Sequence, residues 1–304
     1  MSVVTAVIEA RGLVKRYGST LALDGLDLTV RQGEVHGYLG PNGAGKSTTI
    51  RILLGLARAS SGRVAVLGGD PWRDAAHLHR RIASIPGDVA LWPALSGGET
   101  VDLLVRLRGG DVRGEAYRRR RAELVEAFRF DPSKAARSYS KGNRQKVALL
   151  AALAHPADLY VFDEPTSGLD PLMEEVFTRE VGQLARRGAT VLLSSHLLGE
   201  VERLCDRVSI LRAGRVVESG TLAELQHLTR TAVSFERGDL TAEDLVRIPG
   251  AHDLEIAEGR VALTLDSDAV AAALPELGAL GVTGLRVAPP SLEDLFLRHY
   301  GEAA

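Results

Sequence analysis

Residues 40–48 read Gly-Pro-Asn-Gly-Ala-Gly-Lys-Ser-Thr. Gly40, Gly43 and Gly45 let backbone N–H groups close around phosphate oxygens. Lys46 brings positive charge to the β- and γ-phosphates of a nucleotide, and Ser47 offers a hydroxyl to Mg²⁺. With Pro41, Asn42, Ala44 and Thr48 they form one candidate nucleotide site. Further on, Leu-Tyr-Val-Phe-Asp-Glu at 159–164 ends an apolar run in two adjacent acids. A phosphate loop needs a carboxylate at its metal, and Asp163 would hold it, directly or through water. Glu164 would polarise an attacking water as general base, an effect on the order of 10²–10⁴-fold.

These groups need elements that aim them at one point. An apolar strand at 34–39 runs straight into the glycine-rich loop, and about 12 residues from Lys46 have helical character, roughly 18 Å of helix. The positive end of that helix faces the phosphate. Residues 158–162 and 190–194 are apolar runs bounded by polar residues, as in buried strands of a mostly parallel sheet. The stretch 171–187 between them is a helix with Val176, Phe177, Val181 and Leu184 on one face. Short β-branched strands at 3–10 and 26–30 and a hairpin at 207–211 and 215–217 add an edge. Arginine-rich residues 71–147 read as an inserted helical subdomain, with helices at 99–108 and 115–129.

From residue 226 a second module begins, with strands at 231–236, 253–257, 260–265 and 282–288 and helices at 241–248 and 267–279. A last helix starts at Pro-Pro-Ser 289–291, where Ser291 and Asp294 make a capping-box pattern and Leu292, Leu295, Phe296 and His299 share a face. The expected fold is α/β: a phosphate-loop NTPase core over residues 1–225, with an antiparallel β edge and a helical insertion, followed by a small α+β domain over 226–304.

The chain has 304 residues and a net charge of −2 that hides an asymmetry. Residues 231–304 carry 13 acidic and 5 basic side chains, and the remainder is correspondingly basic, which suggests modules with separate partners. The single cysteine, Cys205, excludes an internal disulfide and a cysteine-based zinc site, and reads as a small core residue. No apolar run approaches the roughly 20 residues needed to span a bilayer, and the first residues lack a signal-peptide pattern. The run Arg118–Arg121 reads as a solvated helix face, and His77 and His79 have no third ligand nearby.

Taken in order, these motifs make residues 5–225 resemble the ATP-binding-cassette ATPases. The resemblance implies that Tyr17, 23 residues before Gly40, stacks on adenine. It implies that Asp170, in Thr-Ser-Gly-Leu-Asp-Pro, faces a dimer partner, and that His196 is the switch histidine at the γ-phosphate. The family's signature string is Leu-Ser-Gly-Gly-Gln. The similar string at 95–99 lies too far from the carboxylates, whereas Ser140 in Tyr-Ser-Lys-Gly-Asn-Arg-Gln lies 23 residues before Asp163, the family's spacing. Ser140, Lys141, Gly142 and Asn143 would then contact ATP held by the opposite subunit, with Lys141 in place of a glycine and Asn143 in place of the glutamine. A second departure is Gly87, in the stretch 82–93, where the family has a glutamine that serves the metal and water, at the end of a strand leading into the helical subdomain; Asp88 or a water is the candidate replacement.

The string at 86–99 and the module ending Pro-Pro-Ser-Leu-Glu-Asp-Leu-Phe resemble drug and antibiotic exporter ATPases. The implied protein is an ATPase subunit using ATP and Mg²⁺, dimeric with a second such subunit, most simply a homodimer. It would be bound to a separate transmembrane permease at the cytoplasmic face of the membrane, with no nucleic-acid partner. A soluble cassette ATPase acting on ribosomes or nucleic acid, and an importer ATPase, are the alternatives. The absence of sustained heptads or a second cassette weighs against the former.

Overall fold

The structure is a computed structural model. It describes residues 5–195, 197–226, 230–236, 238, 245, 248–257, 259–266 and 268–288. The chain gathers into two compact units, 1–219 and 220–304.

In the first unit, β1 (Ala6–Tyr17), β2 (Thr20–Arg31) and β4 (Ser61–Val66) form an antiparallel sheet in the order β2-β1-β4. Strands β1 and β2 are longer than the sequence pattern indicates, because irregular register lets them continue past the alternating stretch. Strand β4 has an exposed first half, Ser61–Arg63, and so carries little apolar signal.

A six-stranded sheet has the order β5-β6-β7-β3-β8-β9, with β3 (Val35–Leu39), β5 (Ile82–Ile85), β6 (Leu159–Asp163), β7 (Thr190–Ser195), β8 (Arg207–Arg212) and β9 (Arg215–Thr221). Strands β5, β6, β7, β3 and β8 pair in parallel, and β3, β6 and β7 are buried along their whole length, hence their near-continuous apolar sequence. Residues 82–85 fall inside the stretch read as a helical insertion, but Ile82 and Ile85 are buried against β6. Four residues are too few to show a period of their own. The expected hairpin joins β8 to β9 through Ala213 and Gly214, both at positive φ, as a two-residue turn of the favoured hand requires.

Register carries the consequence for chemistry. Leu39 lies beside Ser195 and Asp163 beside Ser194, so β3, β6 and β7 end side by side. Helix α1 (Lys46–Leu53) leaves the loop after β3 and spans 8 residues, fewer than expected, because the chain turns at Leu54 and Gly55. Helix α2 (Ala75–Leu78) precedes β5. The helical segment comprises α3 (Gly97–Leu107), α4 (Glu115–Ala127) and α5 (Lys141–Leu153). Helix α6 (Pro171–Arg186) lies between β6 and β7 in the chain and buries Phe177 edge-on to Phe162 at 5.8 Å. Each such burial is worth roughly 1.5–3 kcal/mol. Of the four-arginine run only part is solvated: Arg120 pairs with the buried Glu180, and Arg121 lies 3.0 Å from Asp102. Cys205, after α7 (Leu198–Leu204), is buried, which pushes its thiol pKa up.

Under β3 lies a buried polar chain. His36, fully buried, meets Glu34 Oε1 through Nδ1 at 2.9 Å and Ser209 Oγ through Nε2 at 2.8 Å, and Ser209 Oγ meets Ser219 Oγ at 2.8 Å. Burial works against the Glu34 charge. Hydrogen bonds from His36 and the Arg31 N–H, with the positive charge of Arg207, outweigh it, so the carboxyl sits below its ordinary value. A depressed carboxyl stabilises the fold above its unfolded pKa, and that contribution is lost as pH falls through the folded one. Glu34→Gln is therefore expected to lower thermal stability at neutral pH, the gap from wild type closing on acidification below pH 4.5. Calorimetric Tm across pH 3–8 measures it (~5 pH units).

The second unit holds an antiparallel sheet in the order β11-β12-β10-β13, with β10 (Thr231–Glu236), β11 (Ala251–Ala257), β12 (Arg260–Leu265) and β13 (Thr283–Ala288). Helix α8 (Leu222–Gln226) precedes it, and α9 (Val270–Ala279) packs Ala273 and Leu277 on Val233, Phe235, Val261 and Leu263. The last helix, read as starting at 289–291, and most of that over 241–248 lie outside the described residues. Among the described residues, no helix is long and apolar enough to cross a membrane.

Candidate active site

The loop 40–48 forms a backbone cradle. Gly43 and Gly45 take φ of 83° and 113°, conformations that L side chains rarely adopt. A Cβ at Gly40 would lie 2.6 Å from the Leu211 carbonyl oxygen, and one at Gly45 2.7 Å from Leu23. The loop is anchored by Gly214 N–H donating to Ala44 O at 2.9 Å, and by Tyr38 OH donating to Thr49 Oγ1, whose own hydroxyl donates to Gly45 O. Pro41, Asn42, Gly43 and Ser47 face solvent, while Ala44, Gly45 and Lys46 are buried.

Lys46 Nζ donates to Gly40 O at 2.6 Å and to Pro41 O at 3.3 Å, and lies 3.6 Å from Glu164 Oε1. The phosphate-loop lysine and Glu164, over a hundred residues apart in sequence, are thus brought side by side. Asp163 is buried and accepts a hydrogen bond from Ser194 Oγ at 2.7 Å. Glu164 has φ of 48°, and its N–H donates to Ser194 O and Oγ, both at 3.1 Å. Ser194 thus fixes both acids. Reading by motif passes over it, and its signal is the pair of serines ending an otherwise apolar strand.

Gly87 stands against Asp163: a Cβ there would be 3.3 Å from Asp163 Oδ2. Asp88 beside it is exposed. Tyr17 is 46% exposed, with Lys15 Nζ 4.6 Å from its ring centroid. His196 lies outside the described residues.

Ser140 caps α5, its Oγ accepting from Asn143 N–H at 3.3 Å. Lys141 Nζ reaches Ser167 Oγ at 2.9 Å, Gln145 Nε2 donates to Pro165 O at 2.7 Å, and a Cβ on Gly142 would be 2.5 Å from Gly168 O. The start of α5 therefore rests on the loop after Glu164. Asp170 caps α6 by accepting from Met173 N–H at 3.1 Å, so it has a structural task whatever it faces. The similar string at 95–99 also caps a helix: Ser96 and Glu99 form the capping box of α3. A cleft of about 1220 Å³ lined by Arg81, Tyr117, Arg120, Tyr160 and Thr190 includes none of the phosphate-loop or carboxylate residues.

A backbone cradle, a buried lysine, a fixed aspartate and a partly exposed glutamate are the parts from which a phosphoryl-transfer site is built. The family described as ABC transporter matches residues 23–167. The chain is 37% identical to a daunorubicin resistance ATP-binding protein of Streptomyces coeruleorubidus, over 97% of this chain and 96% of that one. It is 30% identical to a bacitracin transport ATP-binding protein of Bacillus licheniformis, over 98% of each. A solved ATP-binding subunit of an ABC transporter superposes with a TM-score of 0.68 at 32% identity, covering 73% of this chain and 92% of that one. A bacterial cassette solved as a dimer in a post-hydrolysis state with ADP and Pi gives 0.63 at 25%, over 71% and 98%. The chain belongs to the ABC transporter family of ATP-binding subunits and is an ATPase.

Proposed function

We propose that this chain powers a membrane exporter of drugs, antibiotics or other hydrophobic compounds. Two copies would act head to tail with a separate membrane-spanning permease, at the cytoplasmic face of the membrane. The observation that carries this reading is similarity over 97% of the chain, both units included, to a protein named for daunorubicin resistance. The division into a cassette over 1–225, with helical subdomain 71–147, and an accessory domain over 226–304 belongs to the same reading.

The residues present fit Mg²⁺ and ATP. Ser47 presents a hydroxyl at the loop, Asp163 is buried and held by Ser194, and the loop wraps a buried lysine whose ammonium binds the loop's own carbonyls. Mg²⁺ would neutralise charge on the phosphates. Ser47 and Asp163 would hold it, and Asp88 or a water would take the place of the side chain that Gly87 lacks. Lys46 exchanges its carbonyl partners for phosphate oxygens, Tyr17 stacks on adenine, and Glu164 accepts the proton of the attacking water. Ser140, Lys141, Gly142 and Asn143 complete the partner's site, with Asp170 across the interface and His196 at the γ-phosphate.

The test is co-purification from membranes of the tagged chain with its permease, followed by ATPase assay of the complex with daunorubicin or another hydrophobic drug. Copurification with a membrane-spanning protein and drug-stimulated hydrolysis are expected. Recovery only with ribosomes or nucleic acid would sink the exporter reading.

A further inference from the structure

Glu200, on α7, is a buried carboxyl that no step above uses, 5% exposed and four residues beyond His196. Its Oε2 accepts from Ser195 Oγ at 2.6 Å and lies 3.4 Å from Thr166 Oγ1. Ser195 Oγ in turn accepts from Leu197 N–H at 3.0 Å. All three oxygen-bearing residues are buried, and Oε1 of Glu200 has no hydrogen-bond partner among the described residues.

Burying a carboxyl with one oxygen unsatisfied is unfavourable, and an apolar residue would fill the space at lower cost. The arrangement is understandable if the bridge itself is used. Thr166 belongs to the loop that follows Glu164, and Ser195 and Leu197 flank position 196. The same loop is tied on its other side to α5, through Gln145 to Pro165 O and Lys141 to Ser167.

We infer that Glu200 is a positioning residue for ATP hydrolysis, joining the loop after Glu164 to the chain around position 196 so that the two shift together during turnover. The signature segment, that loop, Glu200 and the end of β7 then form one connected path. A subunit's own nucleotide and the phosphate its signature contacts in the partner act on opposite ends of it. Burial, and the charge of Glu174, push the Glu200 carboxyl above its ordinary value, which favours a neutral hydrogen-bonding group at this point. The inference rests on the assignment of Glu164 and the signature segment made above.

The test compares Glu200→Ala and Glu200→Gln in the full chain, reading kcat and KM for MgATP, the Kd for ADP, and Tm. Glu200 touches no nucleotide group, so Glu200→Ala should lower kcat by about tenfold or more with KM and Kd within about twofold. The neutral isostere Glu200→Gln should recover kcat to within about threefold of wild type. A Glu200→Ala protein with unchanged kcat and only a lower Tm, or a Gln variant no better than Ala, overturns the inference. If Glu200→Ala does not fold, Thr166→Val, Ser195→Ala and their double variant decide. A double no worse than the poorer single supports a shared bridge, and multiplicative losses overturn it. Near-normal turnover by Glu164→Gln would sink the base assignment instead, whatever Glu200 does.

Discussion

Glu164→Gln is expected to bind ATP and to hydrolyse it more slowly by on the order of 10²–10⁴-fold. The amide has the size and shape of the carboxylate but cannot accept the proton of water. The backbone around it should not move, because its N–H is held by Ser194 from both the carbonyl and the hydroxyl oxygen. Nor does glutamine change the strain of a φ of 48°, which either residue bears equally. Affinity should be kept or improved, since Lys46 loses the anion 3.6 Å away that competes with phosphate. With ATP bound and uncleaved, two subunits should remain joined, so gel filtration in MgATP should show a dimer that ADP does not support. Steady-state turnover near wild type would remove Glu164 from the role of base.

The sequence makes the chemistry legible where a residue's task is carried by its own backbone or side chain. The loop at 40–48 is of that kind, whereas paired acids at a strand end are often only a solvated loop, and those at 163 and 164 stand out because a phosphate loop lies upstream. The buried strands β3, β6 and β7 are legible for a related reason: parallel strands covered on both faces leave continuous apolar runs. Strand β5 was legible only through the family resemblance, which puts a strand before Gly87, because four residues with one exposed show no period of their own. Ser194 and Glu200 were hidden differently. Serine and glutamate are ordinary surface residues, and their tasks exist only once register sets Ser194 beside Asp163 and the chain brings Thr166 near α7. Gly87 is the intermediate case. A missing side chain was visible, but that a Cβ there would meet Asp163 needed the fold.

Lys46→Ala is expected to lose ATP binding while remaining folded, and the geometry says why the two effects separate. The ammonium is 5% exposed and holds two carbonyl oxygens of its own loop besides pairing with Glu164. Removing a buried charge relieves a desolvation cost that the pairing only partly offsets. Glu164 remains 26% exposed, so water can solvate the carboxylate left behind. The cradle should persist, because its glycines, the Gly214–Ala44 bond and the Tyr38–Thr49 bond do not involve the lysine. What disappears is a pair of charge-assisted hydrogen bonds to phosphate, each worth about 1.5–3 kcal/mol. At about 1.4 kcal/mol per tenfold, that predicts a Kd for MgATP raised by roughly 10²–10⁴-fold. Titration calorimetry measures it, with circular dichroism confirming the fold. AMP should lose little by comparison, having no β- or γ-phosphate for Lys46 to meet. A variant binding MgATP within about threefold of wild type would place the lysine's partners elsewhere, leaving its pairing with the loop carbonyls and Glu164 as its whole task.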